Sequence, residues 1–265
     1  MGIEQAGPSR RAVVRGAAWS VPVVAVATPV PVFAASPCVL RSEAVSTTNN
    51  TTTTFPAQGY TRDSSTAGRW RTSTPTAPGA TYTNARIAIT ATKTGLIQHD
   101  FSATIFNLVA FTTGGVSGVS INQRPSPQGS VRGYDQRTVT RFDFGRLVYN
   151  LTFTIADISK SGSPSGVVNF WDTVQVTSDG SYQVTARQAT VQGSGTQADP
   201  FTPIDSSPDG GDTDPQNVTL QFTTRATYVT FTYWSAAKGT TTTAAGGQGV
   251  TISNMTMQLA PDGCV

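Results

Sequence analysis

Few side chains in this sequence could act as acids, bases or nucleophiles. The 265 residues include one histidine, His99, and two glutamates, Glu4 and Glu43. A serine or cysteine nucleophile needs a base within hydrogen-bond reach, most often histidine, and no Gly-x-Ser-x-Gly elbow is present. Most glycosidases need two facing carboxylates, which only aspartates could supply here. The sequence therefore predicts a binding or structural protein, with His99 on a surface loop, and a hydrolase that uses aspartates is the alternative.

Two groups of aspartates have the hard oxygen atoms that calcium prefers. Asp209, Asp212 and Asp214 fall in a Gly-rich loop, although their spacing is not that of an EF-hand. Asp157 and Asp172 lie at the two ends of a loop between strong strand patterns, so their carboxylates could converge. Each group predicts either a calcium site that acts on stability or an ordinary polar turn.

Tryptophan side chains could supply a platform that stacks on sugars. Trp70 lies between Arg69 and Arg71 in a polar stretch, and this setting predicts an exposed ring that binds a ligand. Trp171 and Trp234 lie in strong strand patterns, which predict core positions.

Alternation of apolar and polar residues predicts the strands that must position these groups. The strongest pattern covers residues 147–155, which alternate with period two. Similar runs occupy residues 86–89, 103–111, 171–177, 182–191, 218–223, 227–234 and 250–259. No window after residue 34 has a helical period over three turns. We therefore predict an all-β fold of about nine or ten strands, an antiparallel β-sandwich of jelly-roll type.

The sequence also predicts the division of the chain. Residues 86–265 carry the sandwich pattern, and residues 35–85 form a Thr-, Ser- and Asn-rich entry segment that we expect to be partly strands. Residues 35–265 are expected to form one domain, because about 230 residues suit a single β-sandwich.

The first 34 residues have the pattern of an export signal. Residues 9–15 read SRRAVVR, which resembles the twin-arginine motif through Arg10 and Arg11. Three prolines interrupt the weakly hydrophobic stretch that follows, so we expect a cleaved signal rather than a retained membrane anchor. Val32 and Ala34 suit signal peptidase cleavage after residue 34. The resemblance implies export by the twin-arginine translocase to the outside or the surface of a bacterial cell.

The charge balance argues against nucleic acid as a partner. The chain has 18 basic and 15 acidic residues, but the predicted signal holds Arg10, Arg11 and Arg15 against Glu4 alone. The remainder carries 15 basic and 14 acidic residues, a net charge of about +1. A nucleic-acid-binding protein would normally keep a basic surplus after export.

The two cysteines, Cys38 and Cys264, stand near the two ends of the exported chain. An even count and an oxidising destination predict a disulfide between them, with two free thiols as the alternative. The closed loop of about 225 residues would stabilise the fold by at most roughly 5 kcal/mol.

We expect non-reducing mass spectrometry of the exported protein to find the peptide that contains Cys38 joined to the peptide that contains Cys264. Reduction should separate the two peptides and lower the melting temperature. Recovery of both cysteines as free thiols would contradict the prediction.

Two segments resemble parts of secreted bacterial β-sandwich modules. Residues 142–177 contain the strings FDF, LTFTIADI and WDTV, which are similar to the core of modules on bacterial surface proteins. Residues 246–256 read GGQGVTISNMT, which is similar to the last strand of those modules and of jelly-roll carbohydrate-binding modules. The resemblance implies an adhesive or ligand-binding role, with calcium in some members. We expect cell-envelope polysaccharide or another surface polymer as the partner. A coat component that self-associates through sheet edges is a further alternative.

Overall fold

A computed structural model describes most of the chain after residue 40. The described residues are 41–45, 60–71, 86–99, 107–113, 115–125, 133–161, 170–204, 216–236 and 248–260. They fall within one compact unit, Cys38–Val265. No helix occurs among them, so this part of the chain offers no helical segment that could cross a membrane.

Seventeen strands occur in the described residues. They are β1 (Arg41–Val45), β2 (Thr61–Arg62), β3 (Ala67–Arg71), β4 (Arg86–Thr94), β5 (Ile97–Gln98), β6 (Val109–Thr113), β7 (Val116–Pro125), β8 (Arg137–Ala156), β9 (Lys160–Ser161), β10 (Phe170–Ser178), β11 (Tyr182–Arg187), β12 (Val191–Gln192), β13 (Thr202–Pro203), β14 (Val218–Phe222), β15 (Ala226–Ser235), β16 (Gln248–Ser253) and β17 (Met255–Leu259). The prediction of nine or ten strands was too low. Five of the additional strands have only two residues, too few for an alternating pattern.

Every pairing between these strands is antiparallel, so the all-β antiparallel prediction is confirmed. Fifteen strands form one hydrogen-bonded network, whose main path is β2-β3-β4-β8-β15-β10-β9, and β12 and β13 form a separate pair. Thirteen of these strands form a sheet that curls into a half-barrel. Because one continuous network replaces two separate sheets, the jelly-roll sandwich is not confirmed.

Strand β8 connects the two parts of this network. Its first half, through Asp143, pairs with β4 and β15, and its second half, from Val148, pairs with β14 on one side and with β16 and β17 on the other. Gly145 and Asn150 have positive φ angles of 67° and 49° near the change of partners. Glycine and asparagine tolerate this left-handed conformation, which is common where a strand is bulged.

One hydrophobic core serves both halves of β8. Phe231 of β15 contacts Phe142 from the first half and Phe153 from the second, at ring-centroid distances of 5.4 and 5.3 Å in edge-to-face geometry. All three rings are buried. Burial of each such side chain stabilises the fold by about 2–3 kcal/mol, so these contacts fix the two halves on one core.

The entry segment supplies β1, β2 and β3, as the sequence partly predicted, but Trp70 does not lie where we expected. Its ring is fully buried in the core, 6.0 Å from Tyr60 and 6.1 Å from Phe142 between ring centroids. The prediction of an exposed sugar-binding platform at Trp70 was therefore wrong. Neighbours along a strand point to opposite faces, so the exposed Arg69 beside it indicated burial of the ring rather than exposure.

Candidate functional site

An exposed sheet surface forms where β3, β4, β8 and β15 lie side by side. In β4 the buried residues Ile87, Ile89 and Ala91 alternate with exposed ones, so every second side chain leaves the core. The register extends this alternation across the neighbouring strands. One row contains Arg69, Ala88, Asp143 and Tyr228, and the next contains Ala67, Thr90, Arg141 and Thr230. We call these two rows, together with Arg86, the outer face.

An arginine stacked on a tyrosine stands on this surface. The guanidinium carbon of Arg141 lies 3.7 Å from the ring centroid of Tyr228. Its Nη2 is 3.3 Å from Oδ2 of Asp143, two residues along β8. Stacking leaves the edges of a guanidinium available for further hydrogen bonds, so this pair combines an aromatic surface with a cation.

Hydrogen bonds to the turn after β10 fix the backbone at Tyr228. Ser178 Oγ donates to the carbonyl of Tyr228, and the Asp179 carboxylate accepts hydrogen bonds from the N–H groups of Thr227 and Tyr228 and from the Thr227 hydroxyl. Partial burial raises the pKa of Asp179, but these hydrogen bonds outweigh it and the net pKa is lowered. Asp179 therefore stays ionised and holds this end of β15 in place.

The outer face carries a surplus of positive charge. Arg69 pairs with Asp63 at 2.7 Å, and Arg141 pairs with Asp143. Arg86 is exposed, and no carboxylate among the described residues pairs with it. Three arginines therefore stand against two aspartates, one of which, Asp143, also accepts the N–H of Gly145.

Asp157 lies close enough to Asp172 for its charge to affect the pKa of Asp172, but the two carboxylates have different hydrogen-bond partners. Asp157 follows the last residue of β8 with a φ of 65°, and its Oδ2 accepts a hydrogen bond of 3.4 Å from Thr113. Asp172 is fully buried; its Oδ1 accepts a 2.5 Å bond from the Tyr233 hydroxyl, and its Oδ2 accepts the N–H and hydroxyl of Ser159 at 3.0 and 3.3 Å.

These contacts describe a hydrogen-bonded buried carboxyl rather than a calcium ligand. Both oxygens of Asp172 accept hydrogen bonds from N–H and O–H groups. A calcium ion would instead need these oxygens, and several more, as its ligands. Across the described residues, no group of three or more histidine, cysteine, aspartate or glutamate side chains could hold a metal ion. The geometry at Asp157 and Asp172 thus favours a structural role.

Burial raises the pKa of Asp172 well above its ordinary value. The nearby charge of Asp157 raises it further, while the hydrogen bonds from Tyr233 and Ser159 act in the opposite direction. Loss of hydration is the largest contribution. Asp172 therefore binds its proton more tightly in the folded protein than in the unfolded chain.

His99 is buried, contrary to the surface-loop prediction, with 5% of its surface exposed. Its Nε2 lies 3.2 Å from the Thr138 hydroxyl, which donates a 2.7 Å hydrogen bond to Oε1 of Gln123. These contacts join the imidazole to two neutral polar side chains. His99 acts as part of a buried polar network.

The other predicted site residues lie outside the described residues. These are Arg10 and Arg11 of the export signal, the cysteines Cys38 and Cys264, and the loop aspartates Asp209, Asp212 and Asp214.

The fold and the outer face define an all-β protein with a polar sheet surface that bears arginine and tyrosine side chains. No protein-family model, curated protein or solved structure matches this chain.

Proposed function

We propose that this protein is a secreted or cell-surface binding module that holds an envelope polymer on its outer face. The stacked pair of Arg141 and Tyr228 carries the proposal. Both residues are partly exposed, Asp179 fixes the backbone of Tyr228, and threonine side chains lie opposite Arg141 on the two neighbouring strands. Aromatic rings and side-chain hydrogen-bond donors are the groups that protein surfaces use to hold sugars.

The buried acid argues against the hydrolase alternative. A general acid must touch the substrate, and Asp172, the described aspartate with a raised pKa, has no exposed surface. Its partner Tyr233 is fully buried as well. A buried acid with protein hydrogen-bond partners supports the fold, so the outer face is the better candidate for contact with a ligand.

Sedimentation of the exported protein with purified cell envelopes should test the proposal. We expect the wild type to sediment with envelopes that retain their polysaccharides, and Tyr228→Ala to bind roughly tenfold more weakly, the equivalent of about 1.4 kcal/mol. Tyr149→Ala is the matched control, because Tyr149 is also a half-exposed tyrosine but lies in the second half of β8, opposite Gln258 of β17.

The control variant should bind as the wild type does. Failure of the wild type to sediment with envelopes would show that the proposed function is wrong. If the wild type and Tyr228→Ala bound equally well, the polymer would contact a surface other than the outer face.

A further inference from the structure

The cations of the outer face are unevenly matched by anions. The Asp63 carboxylate pairs with Arg69, and Asp143 divides its oxygens between Arg141 and the N–H of Gly145. Arg86 is exposed with no acidic partner in the described part of the chain. The surface therefore offers guanidinium N–H donors that a negatively charged ligand would satisfy.

The strand register fixes how far apart these cations stand. Arg86 lies two residues along β4 from Ala88, which is opposite Arg69, so the two Cα positions are roughly 8 Å apart. Arg141 lies two strands from Arg69 and one row further along, roughly 12 Å away. Arg86 and Arg141 lie on opposite sides of the Arg69 row, so the three cations form a triangle whose longest side, from Arg86 to Arg141, is roughly 14 Å between Cα positions. This spread suits a polymer with several charges better than one small anion.

Hydroxyl groups lie beside Arg141 on the two neighbouring strands. Thr90 stands directly opposite Arg141 on β4, and Thr230 stands opposite it on β15. A planar carboxylate is satisfied by one guanidinium fork, whereas a tetrahedral phosphate presents oxygens in several directions. Guanidinium and hydroxyl donors that come from separate neighbouring strands therefore fit a tetrahedral phosphate better than a planar carboxylate.

We infer that the outer face binds a phosphodiester-bearing glycan or polyol polymer through Arg69, Arg86 and Arg141, with Tyr228 as the stacking surface. This inference rests on the proposed function and names the chemistry of its ligand. The chain without its predicted signal has a net charge of only about +1, whereas proteins that bind nucleic acid usually carry a strong basic surplus, so the charge balance favours a glycan or polyol polymer over nucleic acid.

Binding of four defined probes to the exported protein tests the inference. The probes are a glycerol-phosphate oligomer, polygalacturonate, dextran and oligothymidylate, which represent a phosphodiester polyol, a carboxylate polymer, a neutral glycan and a nucleic acid. We expect the glycerol-phosphate oligomer to bind most tightly. Its affinity should fall roughly twentyfold to fortyfold between about 50 and about 200 mM salt, as expected for three charge contacts.

Two arginine variants should separate charge from stacking. Arg86→Gln should weaken binding of the glycerol-phosphate oligomer and lower the salt dependence by about one third, since one of three charge contacts is removed. Arg141→Lys keeps the charge, so it should keep the salt dependence but lose affinity with the stacked geometry. Arg187→Gln is the control, because Arg187 is exposed on β11 and bonds to the Gly193 carbonyl.

The outcomes distinguish this inference from the proposed function. Envelope binding that is sensitive to Tyr228→Ala but insensitive to salt and to Arg86→Gln would overturn the inference and leave the proposed function standing. Tighter binding of polygalacturonate or of oligothymidylate than of the glycerol-phosphate oligomer would overturn the choice of phosphodiester polymer. Equal weakening by Arg86→Gln and Arg187→Gln would overturn the assigned surface. If the wild type did not sediment with envelopes, both the proposed function and this inference would be wrong.

Discussion

Replacing Asp172 by alanine should lower the free energy of unfolding by about 3 kcal/mol at neutral pH. The Tyr233 hydroxyl and the N–H of Ser159 would lose their acceptor inside the protein, and each orphaned buried donor costs about 1–3 kcal/mol. A cavity would remain where the carboxyl group stood. Denaturant unfolding followed by tryptophan fluorescence would measure the loss.

The pH dependence of stability isolates the proton on Asp172. Because the folded pKa is raised, the folded protein binds this proton more tightly than the unfolded chain does. The contribution of Asp172 to stability should therefore be greatest below the ordinary aspartate pKa and should fall as pH rises through the raised folded pKa. The slope for one such proton is at most about 1.4 kcal/mol per pH unit.

Asp172→Asn removes the titrating group while it keeps one oxygen for Tyr233 or Ser159. Subtracting its stability curve from that of the wild type should leave a difference that declines with pH above about pH 4. Asp143→Asn is the matched control, because Asp143 is partly exposed on the outer face. If the plots of unfolding free energy against pH for the wild type and for Asp172→Asn were parallel from about pH 4 to about pH 9, the pKa of Asp172 would not be raised.

The strand pattern predicted the second half of β8 but not the first. Residues 147–155 alternate between apolar and polar types, whereas residues 137–141 place Thr138 and Thr140 at buried positions. Threonine has an apolar methyl group and a hydroxyl, so buried threonines hide the alternation that marks a strand. The 20-residue length of β8, and therefore the single network, could not be derived from hydrophobic periodicity alone.

The candidate site depends on pairing between strands that are far apart in the sequence. Arg141 and Asp143 alternate with Phe142 and Phe144 in one short string, which predicts that the charged pair faces outward. That Tyr228 lies beside them follows only from the register of β15 against β8. A single sequence carries no signal for this register, because six other strands lie between β8 and β15 along the chain and no short turn fixes their pairing.

The buried polar groups were misjudged for a related reason. The charged residues beside Trp70, and the Asp100 that follows His99, suggested exposure of both rings. Exposure along a strand changes from one residue to the next, and a histidine can be buried once Thr138 lies beside its ring. Polar neighbours in the sequence therefore indicate whether a side chain is buried or exposed only after the residues have been recognised as a strand.

Changing Arg10 and Arg11 together to lysine should leave the full-length precursor in the cytoplasm. Lysine keeps both positive charges of the basic region, so attraction to an anionic membrane surface is nearly unchanged. It lacks the planar guanidinium, whose rigid set of donors is what distinguishes arginine in specific recognition. Loss of export by this double variant would therefore report on recognition of the arginine pair rather than on charge.

Arg15→Lys is the matched control, since Arg15 lies in the same basic region but outside the pair. Fractionation of cells that express each tagged precursor would measure the share in the medium, and mass spectrometry of the exported chain would locate the cleavage site expected after Ala34. We expect the wild type and Arg15→Lys to be exported and shortened, and the double variant to remain at full length. Export of the double variant at the wild-type level would show that the protein leaves the cell by a route that does not read the arginine pair.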